Sequence, residues 1–264
     1  MSPQADLGVF GGSGFYDFLD AVEEVTLETP YGDPSAPIAV AELGDRRVAF
    51  LPRHGRSHQL PPHLIPYRAN VWAMRELGVR RLVGPITAGA LRSDLELGEF
   101  VVCDQFVDRT RGRPDTFYTG PDVRHVSAAD PYCPDLGRAL VEAARREGIR
   151  VRRGGTVVVI QGPRFSTRAE SSWFREMGWD VVNMTAYPEG FLARELELCY
   201  ANVSMVTDYD VGVDGSAAVS HDRVLEVFSE NHERLRRLLT AVLTEIDVEP
   251  SRCPCPTALA DAGG

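Results

Sequence analysis

The sequence predicts an α/β fold in a single domain, and two observations carry that prediction. Between residues 158 and 210, short apolar runs of strand type (158–160, 181–182 and 200–206) alternate with helical segments, and polar clusters stand where the runs end. Strand ends are where α/β sheets hold their ligands. Apolar segments are also scattered evenly over the 264 residues, which leaves no obvious place to cut the chain in two. One domain is therefore expected over residues 1–248, followed by a flexible tail over 249–264.

Taken in order, residues 7–10 read as a buried strand feeding the turn Gly11-Gly12-Ser13-Gly14. Glycines let backbone approach an anion closely, and Ser13 adds a hydroxyl donor. A dinucleotide fingerprint would need a further glycine at Asp17 and a helix directly after, and a phosphate-loop NTPase would need Gly-Lys-Ser/Thr; neither follows. A plain tight turn is the other reading. Residues 38–43 and 47–51 form a predicted hairpin around Gly44-Asp45, and its second strand runs into Pro52-Arg53-His54-Gly55. Arg53 offers a planar fork that suits phosphate and His54 a titratable donor, although such loops are often only solvated. His54, His58 and His63 do not suggest a metal site, because Pro61 and Pro62 interrupt any helix that would align them. No metal is expected.

Pro66 opens a helix over 67–77 that Gly78 stops. Residues 81–86 are a strand ending in Thr87-Ala88-Gly89-Ala90, a second small-residue turn, and 100–103 is a short strand. Residues 105–130, polar and rich in glycine and proline, read as a long functional loop. A helix over 134–148 and a strand over 151–160 follow. Thr167 with Glu170 is a capping box, so a helix starts there and ends near Gly178. Pro188 opens the next helix, 199–206 is a strand, and Ser220 caps a last amphipathic helix with a broad apolar stripe from Val224 to Leu243.

Composition narrows the function. Apolar content of 44% and charged content of 25% are ordinary for a globular protein, and a net charge of -10 argues against a general nucleic-acid binder while leaving room for a local anion pocket. No apolar run approaches the ~20 residues that span a bilayer, and MSPQADLGVF lacks the basic and long apolar parts of a signal peptide, so a cytoplasmic protein is expected. The five cysteines (Cys103, Cys133, Cys199, Cys253, Cys255) are too few and scattered for a disulfide framework; Cys253-Pro254-Cys255 reads as an exposed tail rather than a strained redox pair.

Two hydroxyl-bearing turns and an Arg-His pair at strand ends would surround a phosphate without any metal. Phe165, Met184, Asp208 and Asp210 would suit a flat, nitrogen-rich heterocycle with a sugar between it and the phosphate. Together they suggest phosphorolysis of a nucleoside.

The segments GVFGGSGFY, LPRHGRSH, IPYRANVWAMRELGV, DQFVDRTRGRPDTFY, GPRFSTRAES, NMTAYPE and VTDYD resemble the 5'-methylthioadenosine phosphorylases, a branch of the trimeric purine nucleoside phosphorylase family, over nearly the whole chain. The resemblance implies a central mixed β-sheet flanked by helices, inorganic phosphate as co-substrate, no cofactor, and a homotrimer. It implies that Ser13, Arg53, His54 and Thr185 hold phosphate, that Met184 packs on the ribose, and that Phe165 contacts the purine. Asp208 would face N7 and the 6-amino group with Asp210 beside it. Relatives that prefer 6-oxopurines carry Glu where this chain has Ser166 and Asn where it has Asp208. A carboxylate favours the amino group of adenine, whereas a 6-oxo group would present it with another acceptor. For Asp208 to donate a proton near neutral pH, burial and the neighbouring Asp210 must raise its pKa.

The chain departs from the family pattern twice. Ile86 stands where the family has a phosphate-binding Thr, so the hydroxyl is expected from Thr87. His221 stands where methylthioadenosine phosphorylases have a small apolar residue and purine nucleoside phosphorylases have a His that bonds the 5'-hydroxyl. An imidazole left unpaired beside a thioether would cost about 1–3 kcal/mol. Adenosine, or a derivative with a small or polar 5' group, is therefore expected to be accepted well; the alternative is that His221 merely faces solvent at a helix N-terminus. His125 aligns with a residue that reaches the neighbouring subunit's 5' pocket. Competing readings are a purine nucleosidase, a 6-oxopurine nucleoside phosphorylase, and a nucleotide-binding oxidoreductase or non-catalytic nucleotide-binding module built on the first glycine turn.

Overall fold

The computed structural model describes residues 5–11, 23–211, 219–250, 253–260 and 262–263. Its described strands are β1 (Leu7–Gly11), β2 (Glu23–Val25), β3 (Ile38–Leu43), β4 (Arg46–Pro52), β5 (Arg81–Ala90), β6 (Phe100–Cys103), β7 (Gln105–Arg109), β8 (Val151–Arg153), β9 (Thr156–Ile160), β10 (Val181–Asn183) and β11 (Cys199–Asp208). They join into one mixed sheet. The path β2-β3-β4-β1-β5-β10-β9-β7 is branched at β5, which also pairs with β11, and β11 in turn leads to β6 and β8. The β1–β4, β1–β5, β5–β11 and β9–β10 pairs are parallel, while β3–β4, β5–β10 and β6–β11 are antiparallel.

Side chains alternate across a strand, and β11 shows how that builds two cores. Tyr200 and Val206 join the layer of Leu51, Met74, Leu82 and Leu192, covered by helices α1 (Tyr67–Glu76) and α4 (Ala186–Glu195). Ala201, Val203 and Met205 face the other layer, with Leu7, Val9, Leu140 and Leu239, covered by α2 (Pro134–Arg146) and α5 (His221–Glu245). Each fully buried Leu or Val here contributes roughly 1.5–3 kcal/mol of transfer free energy. Helix α3 (Arg168–Glu176) packs Phe174 on Val158 and Val182 in a smaller third cluster, and its N-terminus carries the predicted capping box of Thr167 with Glu170.

The structure departs from the sequence reading in four places. The turn expected over Thr87-Ala88-Gly89-Ala90 is strand: β5 runs unbroken from Arg81 to Ala90, and these last residues pair with β10 and β11. Residues 105–109 are not loop but the strand β7, which runs parallel to β9 from Gln105 opposite Thr156 to Arg109 opposite Ile160. Only Phe106 and Val107 are apolar there, so the pairing is supplied by a distant partner rather than by local alternation. The expected strand over 151–160 is two strands, broken at Gly154-Gly155; Gly155 has φ +140°, a conformation other residues rarely adopt, and the break moves the chain from β6 to β10 and β7. The described residues of the C-terminal segment are docked rather than free: Cys255 and Ala262 are buried, Leu259 donates its N–H to Glu197 Oε1 (3.2 Å), and His125 donates its N–H to the Ala262 carbonyl (2.9 Å). Among the described residues no helix is long and apolar enough to cross a membrane.

Candidate active site

The carboxyl ends of β4, β5, β10 and β11 open on a cavity of about 420 Å³, a volume that suits a small organic ligand. Arg53, His54, Thr87, Phe165, Met184, Thr185, Asp208, Asp210 and His221 all line it. Ser166 is buried behind it, on the Asp210 side. His125 is exposed and does not line the cavity. Ser13 lies outside the described residues.

At one end the polar groups are held by their neighbours. Arg53 follows the last residue of β4, and its main-chain N–H donates to the Gly11 carbonyl (3.1 Å). Its Nε and Nη2 donate to the two carboxylate oxygens of Glu189 (2.8 and 2.9 Å), and Nη1 donates to the Pro85 carbonyl (2.9 Å). Burial alone would lower the pKa of this guanidinium, but Glu189 more than offsets it, so Arg53 stays charged. Tyr200 donates its hydroxyl to Glu189 Oε1 (2.7 Å), which completes a buried network between β4, α4 and β11. These bonds engage three of the five N–H groups of Arg53.

His54 is in a different state from the donor expected of it. Its Nδ1 lies 2.8 Å from the Leu60 carbonyl, and since a carbonyl only accepts, Nδ1 carries the proton. Burial, with help from Arg53 and His58, pushes its pKa down to about 4, so the ring is neutral at pH 7 and Nε2 is an acceptor. The ring stacks on His58 with centroids 4.3 Å apart.

Thr185 is the N-cap residue of α4, yet its buried hydroxyl makes no bond to that helix and is left to the cavity. Ile86 and Thr87 both reach the cavity from β5. Asn183 uses Oδ1 to accept the Ala186 N–H (3.3 Å), while its buried Nδ2 has no acceptor among the described residues. Asn183 and Glu189 fall within a polar cluster at a strand end and within the NMTAYPE motif, so the sequence places both near a ligand, but it assigns neither a role. Glu189 carries a further signal, a carboxylate inside the otherwise apolar run of a buried helix.

At the other end the two aspartates are placed by an irregularity. Along β11, Val206 pairs with Ala88 and Asp208 with Gly89, so the register slips by one residue and the bulge aims the Asp208 side chain into the cavity. Its Oδ2 accepts from Thr207 Oγ1 (2.9 Å) and its Oδ1 from the Asp210 N–H (2.8 Å). Burial raises the pKa of Asp208 in spite of these two bonds. Asp210 acts on Asp208 through its main chain, which opposes that rise; its own carboxyl bonds to Ser171, and burial and the charge of Asp208 push it up to about 6. Asp210 also has φ +48°, the kind of backbone strain that functional turns retain.

Helix α5 closes the cavity with Val224, Leu225 and Phe228, and His221 sits at its first residue. Ser220 caps this end by accepting the Arg223 N–H (3.3 Å). His221 is therefore at a helix N-terminus and exposed, and it lines the cavity as well; its proximity helps lower the pKa of His58.

Residues 6–244 match the family model of the phosphorylase superfamily. The chain is 52% identical to a purine nucleoside phosphorylase of Streptomyces coelicolor, over 97% of this chain and 95% of that one. It is also 52% identical to an S-methyl-5'-thioadenosine phosphorylase of Mycolicibacterium smegmatis, over 95% of each chain. The fold superposes on a methylthioadenosine phosphorylase from Schistosoma mansoni in complex with adenine, with a TM-score of 0.90 at 35% identity, covering 97% of this chain and 98% of the other.

Proposed function

The chain belongs to the phosphorylase superfamily, as a pentosyltransferase of the purine nucleoside phosphorylase type, and we propose that its substrate is a 6-aminopurine nucleoside: 5'-methylthioadenosine, adenosine or another 5'-modified adenosine. Inorganic phosphate is the co-substrate, no cofactor takes part, and the products are adenine and the ribose 1-phosphate bearing the same 5' group. The observation that carries this reading is the buried carboxyl of Asp208, with the small Ser166 nearby. A protonated Asp208 donates to N7 and accepts from the 6-amino group. A 6-oxo group in that place would set acceptor against acceptor.

Phosphate sits at the opposite end. Arg53, fixed by Glu189 and Pro85, has two N–H groups left for it, Thr87 and Thr185 offer hydroxyls, and Ser13 adds another from the glycine turn. Neutral His54 accepts at Nε2 from the hydroxyl of hydrogen phosphate. As the C1'–N9 bond stretches, positive charge grows on the ribose and negative charge on the purine. A phosphate oxygen forms the new bond to C1', the purine leaves with the C1'–N9 electron pair, and the Asp208 proton neutralises it at N7. Phe165 faces the purine, Met184 the ribose, and His221 the 5' group. In a homotrimer, His125 of a neighbouring copy reaches the same 5' pocket.

Phosphorus NMR tests the reaction type. Incubation with adenosine and phosphate is expected to give a ribose 1-phosphate signal in step with adenine; adenine release with phosphate unconsumed would make the protein a nucleosidase.

A further inference from the structure

Four of the five cysteines come together at the end of the sheet opposite the cavity. Cys133 is the N-cap residue of α2, Cys199 begins β11, and Cys253 and Cys255 arrive on the C-terminal segment. The four Sγ atoms all lie within 4.8 Å of one another, and Cys199 and Cys253 are 3.3 Å apart. Cys133, Cys199 and Cys255 are buried and Cys253 half-buried. Cys103, the fifth, bonds separately to Ser204 and stays outside the group.

We propose that Cys133, Cys199, Cys253 and Cys255 bind one zinc ion in a tetrahedral site that fastens the C-terminal segment to the base of the sheet. Zinc held by four thiolates has Zn–S bonds of about 2.3 Å, which puts neighbouring sulfurs about 3.8 Å apart. The cluster has that compactness with all four thiols as mutual neighbours, so a single ion satisfies them together. The Leu136 N–H already points at Cys133 Sγ (3.4 Å), the kind of outer hydrogen bond that orients a thiolate ligand.

A second observation concerns charge. Four thiolates and one zinc ion carry a net charge of -2, which a buried site tolerates only beside positive groups. Arg81 pairs with Cys199 across β5 and β11 and is itself buried. It holds Asp135, two residues beyond Cys133, at 3.0 Å and the Glu249 carbonyl at 3.5 Å. Its Nε and Nη1 are buried with no acceptor among the described residues. A guanidinium tied to three of the converging segments, with donors unspent, is what an anionic metal cluster needs. The helix α2 N-terminus adds positive potential at Cys133.

The site is structural rather than catalytic. The ten residues of β11 separate Cys199 from Asp208 by about 30 Å. The described tail buries little apolar surface beyond Cys255 and Ala262, so the metal bond supplies anchoring that packing does not.

The test is made on the full chain, incubated with excess zinc sulfate and freed of unbound metal. Elemental analysis is expected to find one zinc per chain, and the denatured, unreduced protein in EDTA to titrate five thiols. Cys253→Ser/Cys255→Ser is expected to retain less than a tenth of that zinc and to melt more than about 5 °C lower, with its nucleoside cleavage at 25 °C within about twofold. Fewer than five thiols would mean that disulfides use these cysteines and would overturn the proposal. So would five thiols with less than a tenth of a zinc ion, or a double variant that keeps its zinc. If the variant does not fold, the metal content and thiol count of the unaltered chain decide.

Discussion

Asp208 and Asp210 share one short turn, yet their surroundings give them separate tasks. Asp208 faces the cavity, where burial raises its pKa, whereas Asp210 spends its N–H on Asp208 and its carboxyl on Ser171. Because the pKa of Asp208 is raised, its neutral form persists above the ordinary carboxylate range, and the proton is lost as pH climbs through the raised value. In the proposed mechanism that loss slows the reaction. For adenosine with saturating phosphate, kcat/KM is expected to fall on the alkaline side through this ionisation. Asp208→Asn is expected to lower kcat/KM by about 10²–10⁴ and to abolish that limb; adenosine turnover unaltered in this variant would remove Asp208 from the chemistry. The Arg53–Glu189 pair is also a single-residue matter: deleting one member would strand a buried charge at a cost of about 3–5 kcal/mol, so Glu189 supports the proposed phosphate end by fixing Arg53.

At the scale of elements, the site depends on how β5 and β11 run side by side. Gly89 lies opposite the bulge, and a Cβ there would stand 2.7 Å from Asp208 Oδ1 and 3.3 Å from Asp210 Cβ. Its backbone needs no left-handed conformation, so Gly89→Ala is expected to fold, with a melting temperature lowered by the crowding of Asp208 and of Val182 Cγ1 at 3.2 Å. The displaced Asp208 carboxylate should cost roughly 10²-fold in kcat/KM; a fully active Gly89→Ala enzyme would show that the bulge does not set the geometry. The elements that position the cavity were largely legible in sequence, because β4, β5, β11, α1 and α3 carry strong local signals: alternation, Pro66 and Gly78, and the Thr167–Glu170 box. The elements missed have distant causes. β7 is a strand because β9 lies beside it, and the C-terminal segment is docked by contacts to residues as far away as His125. The bulge itself left no trace in the sequence, and neither did the tautomer of His54, which depends on where the Leu60 carbonyl falls.

For the whole molecule, the mixed sheet gathers the cavity at one end and the cysteine cluster at the other, so the proposed chemistry and the proposed anchoring are spatially separate. Of the residues that the family resemblance singles out, Arg53, His54, Phe165, Met184, Thr185, Asp208, Asp210 and His221 line one cavity, whereas His125 does not, and assembly is a property of copies rather than of one chain. Proposed trimer formation predicts a particle of three times 29.1 kDa by light scattering; a monomer retaining full activity would exclude a role for the neighbouring His125. The proposed 5' pocket is likewise a collective feature, because His221 lines the cavity together with Val224, Leu225 and Phe228 of α5. The most direct measurement is free purine released from adenosine, 5'-methylthioadenosine and inosine in parallel, each with and without phosphate. Adenine is expected from the first two only when phosphate is present, with adenosine cleaved well because of His221 and inosine inert. Cleavage of inosine at a comparable rate would contradict the role given to Asp208, and release that ignores phosphate would contradict phosphorolysis itself.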